Sequence, residues 1–278
     1  EEFPENSMPA YQLAIDNDFN IEIDVHVTKD GHVVVFHDDN LKRVCGIDKL
    51  IKDCTLAELK KYPLANTEYT IPTFKDFLAL VDGKVGILCE IKGINPFNHR
   101  IVRETIKVLK EVDYKGDIAL QSFDFGAVLY AKRHSDYAVG ELCTWCSPDL
   151  KHLRWWATDF MGKMLVCNIT HPDFVAYDVR ACDASLPENK WIVKWSKKVP
   201  VLMWTVKSDE TLETAKKYAN NIIFEDLDPA LVNELAGKLL LSDVLKRISP
   251  ATNNIKRKST ARCFFLYPKY AVTANLTT

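Results

Sequence analysis

The spacing of apolar and polar positions changes period along this chain, and the changes mark out its elements. In residues 20–26, Ile21, Ile23 and Val25 alternate with Glu22, Asp24 and His26, a period of two that predicts a strand with one apolar and one polar face. Asp30-Gly31 supplies the turn chemistry of a short hairpin, and Val33 to Phe36 the β-branched and aromatic return strand. With the turn centred near Asp30, paired residue numbers sum to about sixty, which sets His37 beside Ile23 and within reach of Glu22 and Asp24. Upstream, Ser7 is expected to cap a helix running through Ala10, Leu13 and Ala14 to Asp18. Downstream, Thr55-Leu56-Ala57-Glu58 reads as a capping box opening a short helix that Pro63 ends. Thr73 repeats the device for a helix through Leu78 and Val81, which Asp82-Gly83 stops.

From residue 85 strand and helix patterns alternate. Strands are expected over 85–91, 118–123, 138–143, 174–179, 200–206 and 221–225. Helices are expected over 100–112, 125–134, 150–161 and 190–197, and from a Ser208 cap through Leu212, Ala215 and Tyr218. Such alternation predicts an α/β fold, a parallel sheet wrapped by helices. Counting the first strand of the hairpin but not its return gives seven parallel strands. After Ile248 the periodicity fades, and in the tail Lys246, Arg247, Lys256, Arg257, Lys258, Arg262 and Lys269 face only Asp243. Residues 1–238 are therefore expected to form one folded domain, and 239–278 a basic, disordered extension. Contact with an anionic surface is the other reading of that tail.

Composition narrows the function class. At 278 residues, with 47% apolar and 27% charged residues and a formal net charge of -2, the chain reads as a globular protein with no electrostatic case for nucleic acid. No apolar run reaches the roughly eighteen residues of a membrane span. Eight cysteines, Cys45, Cys54, Cys89, Cys143, Cys146, Cys167, Cys182 and Cys263, fall mostly in apolar strand-like runs, as expected of free thiols in a reducing, cytoplasmic setting. Cys143 and Cys146 form a C-x-x-C with no second pair at zinc-site spacing, which weighs against a structural metal there.

The chemistry sits in the hairpin. Glu22 and Asp24 point the same way with His37 beside them, and facing acids repel unless a cation or partner lies between. A solvated outer face and a metal or acid-base site are the two readings this spacing allows. Glu90 ends an apolar strand, where barrel strands carry chemistry, and Lys92 follows two residues later on the same face. Carboxylate oxygens suit Mg²⁺ or Ca²⁺ better than zinc.

Glu22-Ile23-Asp24-Val25, Thr28-Lys29-Asp30-Gly31 and Val33-Val34-Val35-Phe36-His37-Asp38 resemble the signature of the glycerophosphodiester phosphodiesterase family, with Pro4-Glu5-Asn6-Ser7 before them. Glu90-Ile91-Lys92, Gln121-Ser122-Phe123 and Trp204-Thr205-Val206 extend the resemblance over roughly residues 1–235. It implies a TIM (β/α)8-type barrel and hydrolysis of a small-molecule glycerophosphodiester to glycerol 3-phosphate and an alcohol. It also implies that Glu22, Asp24 and Glu90 hold the divalent cation and that His37 is the catalytic acid or base. Lys92, Gln121 and Trp204 would contact the substrate, Lys92 as a phosphate ligand or as a salt bridge to the acids. The chain departs from the family pattern at Phe224-Glu225-Asp226-Leu227-Asp228-Pro229, where Thr-Asp-Pro is common.

Family members carry a first strand ending in His-Arg-Gly, with a second catalytic histidine, just upstream of the segment at which this chain opens. That strand, the eighth of the barrel, is expected to be missing here, leaving unpaired backbone beside residues 20–25 and 221–225 and leaving a signal peptide open. The alternative to an active hydrolase is accordingly an impaired remnant that binds cation and phosphate. A calcium-binding structural module is disfavoured because the EF-hand order of acids before a glycine is not present.

Overall fold

The computed structural model describes residues 3–93, 95–144, 155–182, 190–227 and 271–273, apart from the side chains of 155–158 and 271–273. Its centre is the hairpin. Strand β1 (Asn20–Val27) is buried along its whole length, and β2 (Val33–Val35) returns antiparallel to it with Val25 opposite Val35, His26 opposite Val34 and Val27 opposite Val33. Those pairs each sum to sixty, as the turn chemistry predicts. Gly31 takes φ +93° in the turn, a region costly for any residue with a Cβ.

Six further strands follow in parallel, β3 (Ile87–Ile91), β4 (Ile118–Ser122), β5 (Ala138–Cys143), β6 (Phe174–Asp178), β7 (Val201–Val206) and β8 (Asn221–Phe224), each beside its predecessor, with β3 on β1. The curled α/β sheet is the parallel sheet that the alternating pattern predicts, closed into the barrel that the family resemblance implies. Inside it, Leu88, Ala119, Leu142, Phe174, Ala176, Leu202 and Ile223 pack together. Gly140 on β5 makes room for this layer, since a Cβ there would collide with the Phe174 ring. Outside, Ile21, Ile23 and Val25 pack with Tyr11 and Phe77 of the helices Met8–Asp16 and Phe74–Val81. Ser7 and Thr73 cap these two helices, with Thr73 Oγ1 accepting from the Asp76 amide at 3.0 Å. The polar face of β1 is thus not a solvated outer face. It lies inside the barrel because a closed parallel sheet covers both faces of each strand.

Two expectations need correction. The capping box of Thr55 and Glu58 forms, but its helix, Leu56–Leu59, ends before Pro63. More consequentially, the backbone of β1 and β8 is not left unpaired. A short strand from the tail, β9 (Ala271–Thr273), lies parallel between them, with Asn20 opposite Ala271 and Glu22 opposite Thr273 on one side and Phe224 opposite Val272 on the other. One edge of β1 is thereby shared, Asn20–Glu22 pairing with β9 and Val25–Val27 with β2. Unpaired strand edges seek partners, and this segment supplies one to both strands. The rest of the tail, residues 239–270 and 274–278, lies outside the described residues, as do Cys146, Cys263 and the first turn of the helix expected from 150. That helix is seen as Trp155–Gly162. The six described cysteines are free, and all but Cys45 are buried. Among the described residues no helix is long and apolar enough to cross a membrane.

One buried acid stands apart from the barrel mouth. Glu141, on β5, is fully buried beside Cys167 and Thr170, and both its carboxylate oxygens lack a hydrogen-bond partner. Burial, and then the Cys167 thiol, push its carboxyl well above the usual range. Because the folded carboxyl keeps its proton to higher pH than the unfolded one, its contribution to stability is full below the ordinary glutamate value and lost as pH rises through the folded value. Glu141→Gln is expected to match the parent in acid and to exceed it in thermal unfolding at alkaline pH. Parallel pH profiles for the two would rule this out.

Candidate active site

The C-terminal ends of the barrel strands bring distant residues together at one mouth. Glu22 and Asp24 reach it from β1 and Glu90 from β3, with Asp24 opposite Glu90 in the β1–β3 register. All three are buried, and a carboxylate oxygen of each lies within 4.8 Å of the others. Lys92, just past β3, places Nζ 2.8 Å from both Asp24 Oδ1 and Glu90 Oε1. Gln121 on β4 stands opposite Glu90 and donates Nε2 to Glu22 Oε1 at 3.4 Å. Trp204 on β7 meets Phe123 edge to face, ring centroids 5.7 Å apart. With His37, Leu142, Thr205 and Ile223 these residues line an inner chamber of about 100 Å³. Above it opens a wider chamber of about 470 Å³, which adds Glu5, Asn6, Arg43, Arg180, Lys207, Thr211 and Glu225. All seven residues singled out from sequence, Glu22, Asp24, His37, Glu90, Lys92, Gln121 and Trp204, therefore face one cavity.

The acids are electrostatically frustrated. Burial, then Asp24 and Glu90, push the Glu22 carboxyl well above the usual range, against the pull of Lys92 and Gln121. Glu90 is raised as well, mainly by burial, which outweighs the ammonium of Lys92. Burial works against the charge of Lys92, yet Asp24 and Glu90 overcome it and hold its pKa above that of an ordinary lysine. One ammonium among three carboxylates leaves a net negative site, and a set of hard oxygens at this spacing fits a small divalent cation. Two other polar groups are left over. Gln121 Oε1, an acceptor, and Trp204 Nε1, a donor, are buried without a hydrogen-bond partner.

His37 stands at the junction of the two chambers, with its side chain 48% exposed. Its Nδ1 lies 2.6 Å from Asp38 Oδ1. This hydrogen bond, with Asp24 behind it, raises the imidazole pKa above its usual value. Burial opposes ionisation of Asp38, but hydrogen bonds from His37 and Arg43 outweigh it and hold its carboxyl below the usual range. His26 is buried, and its Nε2 lies 3.3 Å from the His37 carbonyl. Burial keeps its pKa low, so it meets that carbonyl as a neutral N–H donor. Reading the sequence alone gave no role to Glu5, Asp38 or Arg43. The signals it carried were Glu5 within Pro4-Glu5-Asn6-Ser7 and an acid directly after His37, with none at Arg43.

Comparison with known proteins agrees with this architecture. The model of the glycerophosphoryl diester phosphodiesterase family matches residues 1–227. A glycerophosphodiester phosphodiesterase of Caldanaerobacter subterraneus is 27% identical over 247 residues, covering 83% of this chain and 91% of the relative. A putative glycerophosphodiester phosphodiesterase of Bacillus subtilis is 36% identical over 132 residues, covering 45% of this chain and 54% of that relative, so this match spans about half the bacterial protein's length. In three dimensions the chain is similar to an Oleispira antarctica phosphodiesterase solved with its product sn-glycerol-3-phosphate, with TM-score 0.66, 21% identity, and 84% and 91% of the two chains covered. A Thermotoga maritima glycerophosphodiester phosphodiesterase has TM-score 0.61 at 21% identity, covering 80% of this chain and 89% of its own. With a family match over most of its length and the barrel those structures share, the chain belongs to the glycerophosphoryl diester phosphodiesterase family.

Proposed function

We propose that this chain hydrolyses a glycerophosphodiester to glycerol 3-phosphate and an alcohol, with Glu22, Asp24 and Glu90 as ligands of Mg²⁺ or Ca²⁺. The observation that carries the reading is the cluster of three buried carboxylates within 4.8 Å of one another, beside a lysine and a histidine in one cavity. When bound, the ion supplies positive charge to a phosphate oxygen as the phosphorus becomes more crowded. Lys92 gives a second positive charge from the same floor, as a point charge that can turn from the acids toward a phosphate. His37 moves a proton at Nε2, the ring nitrogen not engaged by Asp38. The inner chamber suits the glycerol end. Its apolar wall of Phe123, Leu142, Trp204 and Ile223 packs the carbons, and the unpartnered Gln121 Oε1 and Trp204 Nε1 match the donor and acceptor of a hydroxyl. The wider, charged outer chamber takes the alcohol.

The test is release of glycerol 3-phosphate from a deacylated phospholipid diester, followed by coupled oxidation of the product, with and without divalent cation. Release is expected to need the cation and to fall by at least about 10²-fold in Glu22→Gln, which exchanges a charged ligand oxygen for a neutral amide. A Glu22→Gln variant as active as the parent would end the metal assignment. Cation and phosphate binding without turnover would instead favour the impaired remnant.

A further inference from the structure

We infer that Asp38 and Arg43 are positioning residues for His37, with Glu5 anchoring them; the inference rests on the proposed role of His37 and deepens it. The four side chains form an unbroken chain of hydrogen bonds. His37 Nδ1 lies 2.6 Å from Asp38 Oδ1. Asp38 accepts two bonds from Arg43, from Nε to Oδ2 at 2.7 Å and from Nη2 to Oδ1 at 2.9 Å. The far side of the same guanidinium donates Nη1 and Nη2 to Glu5 at 2.8 and 2.5 Å.

The geometry has one consequence for proton transfer. Asp38 holds two donor bonds from a guanidinium that never loses its charge, so its carboxylate stays ionised and offers His37 only acceptors. An imidazole facing an acceptor carries its proton on Nδ1, which leaves the lone pair on Nε2. A proton taken from an oxygen in the chamber goes to Nε2, and one given back leaves from Nε2, while the other proton stays on Nδ1, donated to the Asp38 carboxylate throughout. Arg43 fixes the carboxylate plane from two directions, a task for a planar fork that an ammonium cannot perform. A purely structural reading of the network is weak, because Arg43 is 52% exposed and exposed pairs add little to stability.

Nitrogen-15 NMR of labelled protein, run beside steady-state kinetics, tests the relay. In the parent, His37 is expected as the Nδ1–H tautomer when neutral. In Asp38→Asn that preference should be lost, because the amide can also donate to the ring, and kcat should fall by about 10- to 100-fold with KM within about twofold. Arg43→Lys keeps the charge but not the fork, and it is expected to show the same two changes to a smaller degree. Calorimetry should give unchanged divalent-cation affinity in both, since neither touches the carboxylate cluster. An Asp38→Asn variant with the parental tautomer, or with parental kcat, overturns the inference. If that variant does not fold, Arg43→Lys decides by the same readouts. If the parent releases no glycerol 3-phosphate, the proposed function has failed, and the tautomer measurement alone decides the relay.

Discussion

Without added divalent cation, Lys92→Met is expected to lower the midpoint of thermal unfolding by roughly 6–20 °C, and millimolar Mg²⁺ or Ca²⁺ is expected to restore most of it. Lys92 is the ammonium bridging Asp24 and Glu90 at 2.8 Å each, and its side chain is only 18% exposed. Removing one partner from a buried ion pair typically costs about 3–5 kcal/mol, and in a domain of this size each kcal/mol moves the midpoint by about 2–4 °C. Methionine keeps most of the stem volume, so the loss reports charge rather than packing. The carboxylates respond by holding their protons to still higher pH. Stability of the variant should therefore fall more steeply than that of the parent as pH rises above the ordinary glutamate range. A cation that binds only the folded carboxylates reverses the loss by mass action. It should do so at lower concentration than in the parent, where Lys92 must first be pushed aside. Scanning calorimetry across a cation titration measures all three effects. A variant as stable as the parent would mean the cluster does not need a positive charge, and a loss that no divalent ion repairs would count against a cation site at these carboxylates.

That coupling was half visible in the sequence. The period of two put Glu22 and Asp24 on one face, and the Asp30-Gly31 turn fixed a register that the structure reproduces at Val25 and Val35. Strand ends at Glu90, Gln121 and Trp204 were legible because short apolar runs bounded by helical patterns give both existence and limits. What the pattern could not carry was anything set by partners far along the chain. Lys92 could be read as a phosphate ligand or a salt bridge, and it stands here between two acids, one of them 68 positions away. The bond from Arg43 to Glu5 spans 38 positions and leaves no periodic trace. Strand β9 is the extreme case. Three residues inside a basic, aperiodic tail are too short a run to give a period, and their partners on β8 and β1 lie 48 and 251 positions away.

His37→Gln is expected to reduce kcat by about 10² to 10⁴-fold, the usual worth of general acid-base assistance, while leaving cation affinity near that of the parent. The two halves of that expectation come from the same geometry. His37 lines both chambers but contributes no oxygen to the carboxylate cluster, and its ring is half exposed, so its removal opens no core cavity. Glutamine fills similar space and hydrogen-bonds, yet it cannot change protonation state near neutral pH. Comparing two leaving groups separates the roles open to Nε2. If His37 protonates the departing alkoxide, the loss should be large for a diester of ethanolamine or choline and should shrink by tenfold or more for a nitrophenyl diester, whose phenolate leaves without help. If His37 instead takes the proton of the attacking nucleophile, both substrates should lose the same factor. A kcat within threefold of the parent on both, with or without a change in KM, would remove His37 from the chemistry and leave the carboxylate cluster and Lys92 to account for any turnover alone.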